Sequence, residues 1–295
     1  MRMSHKINQS ELLLNNDSSI YHLNLHPTEI AETIILVGDP ERVAMVSNNF
    51  DSVEIKKQKR EFVTHTGSLN GKRISVVSTG IGISNIDIVL TELDALFNID
   101  LNTRKIRPQI TTLDIYRIGT CGGLSKDLPM YAPIISDYAM TFDVLMQYYQ
   151  HNKQEDNLYG ALLDHFSDFK LDNALELISG TKKLIDKFPK SFNRGITLTC
   201  SGFYAPQGRQ LRLPVAYDIL SRAASFGFED ERILNFEMET AGIYFLANLL
   251  GHNYCSISCM IANRVSEVFG ADYEKAMESL IQQVLKNITP KATTG

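Results

Sequence analysis

The sequence predicts a single α/β domain, with helices covering a central mixed β-sheet. Three observations carry this. Short apolar runs that end in turn residues alternate with stretches of helical period along the chain. No internal repeat, low-complexity block or linker interrupts that alternation. The chain has 295 residues, 44% hydrophobic and 21% charged, which is ordinary globular make-up. A chain this long buries a sizeable core without disulfide or metal staples.

In chain order, residues 1–20 are polar apart from three leucines and read as a flexible arm. The domain is expected over 21–290, with a frayed tail at 291–295. TIILVGDP (33–40) is an apolar strand feeding a Gly-Asp-Pro turn, and ERVAMVSNNF after it has helical character. Residues 61–80 read as a hairpin about Leu69-Asn70-Gly71, an Asn-Gly turn. Residues 84–99 form a helix. Ser84 and Asp87 resemble a capping box there, and Ile86, Val89, Leu90, Leu93 and Leu96 or Phe97 make an apolar stripe. Residues 101–113 are a polar connector. DIYRIGT (114–120) is a strand running into a glycine turn, and 134–140 is another strand. Residues 143–190 show no clear pattern. Strands follow at 194–204 and 253–264, and helices at 238–251, stopped by Gly251, and 273–288.

The net charge of −5 argues against a general nucleic-acid binder, so any anion must be met by a local arginine cluster. The four cysteines form no Cys-x-x-Cys pair and no zinc pattern, which fits a reducing compartment. The N-terminus lacks the apolar core of a secretory signal, and no window approaches the ~18 apolar residues of a membrane span. A cytoplasmic location is expected, with no membrane or nucleic-acid partner.

Unusual residues gather at strand ends, where ligands collect in such sheets. Gly38 and Arg42 follow the first strand. Arg117 and Thr120 close another, and Arg60 stands in KREF. Three arginines and a hydroxyl suit inorganic phosphate, although for any single arginine a surface ion pair is the more ordinary explanation. Arg117 differs because it lies within an apolar strand and needs a buried partner. Glu237 and Glu239 flank Met238. They either complement a helix dipole or accept hydrogen bonds from sugar hydroxyls, with Met238 against the sugar face. His22 stands alone near the N-terminus. Gln207 offers a coplanar carbonyl and NH₂, and Arg209 a fork of donors. The pair either matches a pyrimidine edge or makes a polar turn. STGIG (78–82) is not a dinucleotide-binding fingerprint.

In order, GDPERV, REF, STGIG, YRIGTCGGL, FYAPQGR, NFEMET and IANR resemble the nucleoside phosphorylase superfamily, and within it the uridine phosphorylases, over about residues 21–288. The resemblance implies a single-domain nucleoside-phosphorylase fold, a central mixed β-sheet or barrel flanked by helices. It implies phosphorolysis of uridine, with deoxyuridine or thymidine as further substrates, to uracil and ribose 1-phosphate. Phosphate is the co-substrate. It assigns phosphate to Gly38, Arg42, Arg117 and Thr120, with Arg60 from a neighbouring subunit. It assigns ribose to Glu237, Met238 and Glu239, with His22 from the neighbour, and uracil to Phe203, Gln207 and Arg209. A homo-oligomer with shared sites, at least a dimer, follows. No metal is implied beyond a monovalent cation, potassium, near Glu61, Ile81 and Asn85.

The sequence departs from the family's pattern at three places. Cys121 stands where serine or threonine is common. Ile83-Ser84-Asn85 replaces Gly-Pro-Ser, which bears on the cation. Residues 100–113 and 143–190 diverge. The purine enzymes of the superfamily carry an aspartate after the late strand, where this chain has Asn263 and Arg264, which favours a pyrimidine. The other readings are a purine nucleoside phosphorylase, a nucleosidase, and an inactive nucleoside-binding relative.

Overall fold

The computed structural model describes residues 6–171 and 174–289. The tail expected to fray therefore lies outside the described residues. The first strand, β1 (Thr33–Val37), is buried throughout. Asp39 then caps α1 (Pro40–Ser47) by accepting from the Glu41 amide, with Pro40 preset for the first turn. The hairpin expected at 61–80 is two strands of a three-stranded meander: β2 (Ser52–Lys59), β3 (Phe62–Leu69) and β4 (Lys72–Ser78). β2 gave no sequence signal because it is an edge strand rich in lysine, largely exposed. Asn70 and Gly71 turn the second hairpin with positive φ of 51° and 76°, as an Asn-Gly turn requires.

α2 (Ile83–Asn98) buries the expected stripe. The expected capping box is absent. Gly82 is the N-cap, and Asp87 instead accepts from the Tyr149 hydroxyl. The polar connector holds a small ribbon of β5 (Ile99–Asp100) and β6 (Lys105–Ile106). Residues read as a loose arm lean on this ribbon. The Ile7 amide donates to the Arg104 carbonyl at 2.8 Å, and Leu12 and Ile20 are buried in the core.

β7 (Asp114–Gly123) runs through its glycines instead of turning at Cys121, because it is paired on both sides as far as Gly123. β8 (Pro133–Thr141) follows. The segment that showed no pattern holds α3 (Asn157–His165), β9 (Glu176–Ser179) and the single turn α4 (Lys182–Ile185). β10 (Asn193–Thr199) ends earlier than expected. The chain then passes through α5 (Ile219–Ser225), β11 (Ile233–Glu237), α6 (Thr240–Leu250), β12 (Asn253–Asn263), β13 (Val268–Phe269) and α7 (Tyr273–Ile288). Glu237 thus ends a strand rather than starting a helix.

The sheet runs β13-β12-β8-β10-β11-β7-β1-β4-β3-β2, and β12 also pairs in parallel with β7. That pairing closes β12, β8, β10, β11 and β7 into a barrel, and β1, β4, β3 and β2 extend from it. The fold is thus mixed α/β with a closed central sheet, as expected. Helices α2 and α6 pack one apolar cluster, α1 and α7 a second, and α3 and α5 a third. Among the described residues no helix is long and apolar enough to cross a membrane. Gly38 after β1, Gly80 after β4, the later half of β7, Glu237 and the end of β12 converge on one cavity.

Candidate active site

The cavity has a volume of about 1040 Å³, and ten of the twelve residues assigned to phosphate, ribose and base line it. That is room for a ligand of nucleoside size together with a small anion.

At its centre is Arg117, buried on β7. One guanidinium nitrogen, Nη2, donates to Glu239 Oε2 at 2.5 Å and lies 3.0 Å from Glu237 Oε2, and Nη1 donates to Ser258 Oγ at 3.2 Å. Burial alone would lower the Arg117 pKa, but Glu237 and Glu239 outweigh it and hold the guanidinium above its ordinary value. Its place depends on Gly119, two residues on and on the same strand face. A Cβ at Gly119 would fall 1.9 Å from Nη1, so the guanidinium lies across the bare backbone.

The two glutamates have different duties. Glu237 ends β11 and accepts from the Thr199 hydroxyl and from the amides of Glu239 and Thr240 at 2.9 Å. It thereby satisfies amides at the start of α6. Glu239 accepts from Arg117 and, at 2.7 Å, from the Gly82 amide. Burial pushes the Glu239 carboxyl up, Arg117 opposes that, and Glu237 adds to it. Met238 between them is half-buried and faces the cavity.

Gly38, Arg42 and Thr120 also line the cavity. Among the described residues the Arg42 guanidinium and the Thr120 hydroxyl have no hydrogen bond within the protein. Burial lowers the Arg42 pKa, Asp39 opposes the shift, and nearby Arg117 adds to it. Arg42 and Thr120 thus offer donors without an acceptor, beside the paired guanidinium of Arg117.

The third group is the turn after β10. Arg209 Nη1 donates to Gln207 Oε1 at 2.6 Å and to the Phe203 carbonyl at 2.7 Å, and its guanidinium lies 3.7 Å from the Phe203 ring centroid. Gln207 is buried, and with Oε1 taken, its Nε2 remains to donate. Phe203 is half exposed, a flat apolar face at the cavity wall. Burial and then Arg264 lower the Arg209 pKa to about 10.

Arg264 was not singled out from the sequence as a binding residue. It lines the cavity and donates from Nη1 to the Gln207 carbonyl at 3.0 Å, which anchors the turn. It directly follows the apolar strand β12, whereas Arg117 lies inside one. Asn263 ties its own loop to the one that follows β7. It donates to the Ser125 carbonyl at 2.8 Å and accepts from the Val265 and Ser266 amides at 3.1 and 3.0 Å. Cys121 also lines the cavity, but burial pushes its thiol well above the usual range, so no reactive thiolate stands there.

Two assigned residues do not line this cavity. Arg60 is exposed at the β2–β3 turn, and His22 pairs with Glu92 on α2. Glu61, Ile81 and Asn85 do line it. The Asn85 amide donates to Glu61 Oε1 at 3.3 Å, and a Cβ on Gly80 would fall 2.4 Å from that amide nitrogen. That contact uses the Asn85 amide nitrogen and one carboxylate oxygen, and it places the two residues together at the cavity wall.

The family profile of the phosphorylase superfamily matches residues 32–289. A uridine phosphorylase from Thermococcus kodakarensis is 30% identical over 266 residues, which cover 90% of this chain and 85% of the relative. A purine nucleoside phosphorylase of DeoD type from Colwellia psychrerythraea is 27% identical, over 77% of this chain and 80% of the relative. Among solved structures, a Trypanosoma brucei nucleoside phosphorylase described as showing uridine phosphorylase activity superposes with a TM-score of 0.83. It is 25% identical and covers 94% of this chain and 98% of its own.

Proposed function

The chain belongs to the phosphorylase superfamily, and from that membership we propose that it is a cytoplasmic enzyme that cleaves uridine reversibly with inorganic phosphate, giving uracil and ribose 1-phosphate. The observation that carries this is the gathering of three chemistries in one cavity. The unpaired donors of Arg42 and Thr120 receive phosphate beside Arg117. Glu237, Met238 and Glu239 receive the ribose. Gln207, Arg209 and Phe203 receive the base.

The reaction proceeds as the phosphate oxygen attacks C1′ while the bond from C1′ to the base nitrogen breaks. The sugar passes through an oxocarbenium-like state. Arg42 and Arg117 orient the phosphate, and orientation supplies much of the acceleration. The electron pair of the broken bond leaves on the uracil ring, where charge builds on its carbonyl oxygens. Gln207 Nε2 and the Arg209 guanidinium meet that charge with donors already in place. The buried carboxylates near Arg117 favour positive charge, which suits the sugar as it forms. No residue needs to form a covalent intermediate.

Asn263 supports a pyrimidine over a purine. By the resemblance it stands where the purine enzymes carry an acid, and its amide donates to the Ser125 carbonyl. In the proposed assembly, Arg60 and His22 reach a neighbour's cavity, so the working unit is a dimer or a multiple of one.

The test is uridine cleavage followed by ultraviolet absorbance at alkaline pH, with and without phosphate, with inosine and thymidine alongside. Phosphate-dependent release of uracil with inosine untouched is expected. Cleavage of inosine overturns the base assignment, and phosphate-independent cleavage overturns the phosphate assignment.

A further inference from the structure

Away from the cavity, His22 sits in a densely bonded setting. Glu92 turns its carboxylate onto the segment that carries the histidine. Its two oxygens each lie 3.0 Å from the His22 backbone nitrogen, Oε2 lies 2.8 Å from the Leu23 nitrogen, and Oε1 lies 2.7 Å from His22 Nδ1. The ring is held on other sides as well. Tyr21 meets it edge-on at 4.8 Å and Phe62 at 6.4 Å. Tyr21 is itself pinned, because Lys59 Nζ lies 4.0 Å from its ring centroid and donates to its carbonyl and to Asn15 Oδ1.

An ionised carboxylate only accepts hydrogen bonds. Nδ1 therefore carries the ring proton, and in the neutral imidazole Nε2 is left as a lone-pair acceptor with no partner within the chain among the described residues. The side chain is 23% exposed, so the ring is held yet reachable. A loose ring satisfies no such constraint. One carboxylate fixes both the backbone at the ring's root and the tautomer at its edge.

We infer that Glu92 is a positioning residue for the reaction: it sets His22 in the Nδ1–H tautomer, so that Nε2 accepts a hydrogen bond from a ribose hydroxyl in the partner subunit's cavity. This rests on the proposed reading of His22 as a shared ribose contact. It goes further in assigning the tautomer, the direction of the hydrogen bond and the residue that imposes both. A merely structural Glu92 caps the segment and leaves nucleoside binding alone.

The experiment uses the full-length protein with His22→Ala, Glu92→Ala, Glu92→Gln and the double variant His22→Ala/Glu92→Ala. Nitrogen-15 NMR of histidine-labelled protein reads the tautomer, and the His22 signals are those missing from His22→Ala. The parent is expected to show Nδ1 protonated and Nε2 bare, a preference lost in Glu92→Ala. An Nε2-protonated neutral ring in the parent overturns the inference. Steady-state kinetics then read uridine and phosphate separately. His22→Ala and Glu92→Ala are each expected to raise the uridine KM about tenfold, the equivalent of one hydrogen bond. The phosphate KM should hold, and the double variant should be no worse than His22→Ala, as for residues acting through one another.

A uridine KM unchanged in Glu92→Ala overturns the inference, and so does an additive double variant. If His22→Ala keeps the parent's uridine KM, the ribose reading of His22 falls and the inference falls with it. If the parent does not cleave uridine at all, the substrate reading has failed, and the kinetic claim with it, while the NMR still decides the tautomer. Should Glu92→Ala not fold, Glu92→Gln keeps the side-chain length and one accepting oxygen and takes the same measurements.

Discussion

The guanidinium of Arg117 lies across the α-carbon of Gly119, where a single added carbon would fall 1.9 Å from its nitrogen. Gly119→Ala should therefore act as an arginine variant. Moving Arg117 breaks its contacts with Glu237 and Glu239, which are buried and would be left without their cation. A loss of kcat/KM of a hundredfold or more is expected, equivalent to about 3 kcal/mol of transition-state stabilisation. A drop in stability of about 1–3 kcal/mol should accompany it from overpacking. Denaturant unfolding and uridine kinetics check this together. Parental activity in Gly119→Ala would show that Arg117 is not needed where it stands.

Arg209 should matter for turnover far more than for folding. It is only half-buried, and its bonds run within its own turn, to Gln207 and Phe203. Arg209→Ala should cut uridine kcat/KM by about a hundredfold, as expected for losing charge-assisted hydrogen bonds and a stacked cation. The thermal midpoint should move by only a few degrees. Equal activity in variant and parent defeats the base assignment.

The same residue sets an alkaline limit. Burial and Arg264 bring the Arg209 pKa down to about 10. The group is a base, so its charge is present below that value and is lost as pH rises through it. Uridine affinity should fall across that range. Uridine also loses its ring proton at alkaline pH, so the comparison is between parent and Arg209→Ala. The limb due to Arg209 should be missing from the variant, and identical profiles would refute this.

Shared sites make a prediction about mixtures. Arg60→Ala lacks the cation that the proposed assembly lends to its neighbour, and Arg209→Ala lacks the base reader in its own cavity. Each alone should be nearly inactive. Subunits exchanged one to one should recover activity in about a quarter of sites, because each mixed dimer rebuilds one intact site. No recovery after proven exchange would place Arg60 outside the site.

Much of this architecture could be read directly. The buried run of β1, the stripe of α2 and the Asn-Gly turn each follow from a local pattern that the tertiary structure leaves alone. Where reading failed, long-range contacts had decided. β2 is legible only as the partner of β3, since half of its residues are charged and most are exposed. The glycines after Cys121 look like a turn, yet β11 and β12 hold them in a strand. Ser84 and Asp87 have the spacing of a cap, but Asp87 is drawn away by Tyr149. In the site, motif order pointed to residues that do share a cavity. It could not show that Arg117 is neutralised by the very glutamates assigned to the sugar, since 120 residues of chain separate them. Arg264 was passed over because its partner is a backbone carbonyl, which no side-chain pattern announces.

Asn263 bears on how such an enzyme could be diverted to other bases. Replacing it with aspartate would introduce the acid that the resemblance to the purine enzymes suggests for this loop. Yet its amide holds the Ser125 carbonyl, and its oxygen is bound by the amides of Val265 and Ser266. A carboxylate there would face the Ser125 carbonyl oxygen with no proton to offer and would remain stapled to the loop. The same loop carries Arg264, which anchors the base-reading turn. An evolutionary or engineered crossing between pyrimidine and purine preference therefore has to rebuild the path from Ser125 through Asn263 to Gln207 as a unit.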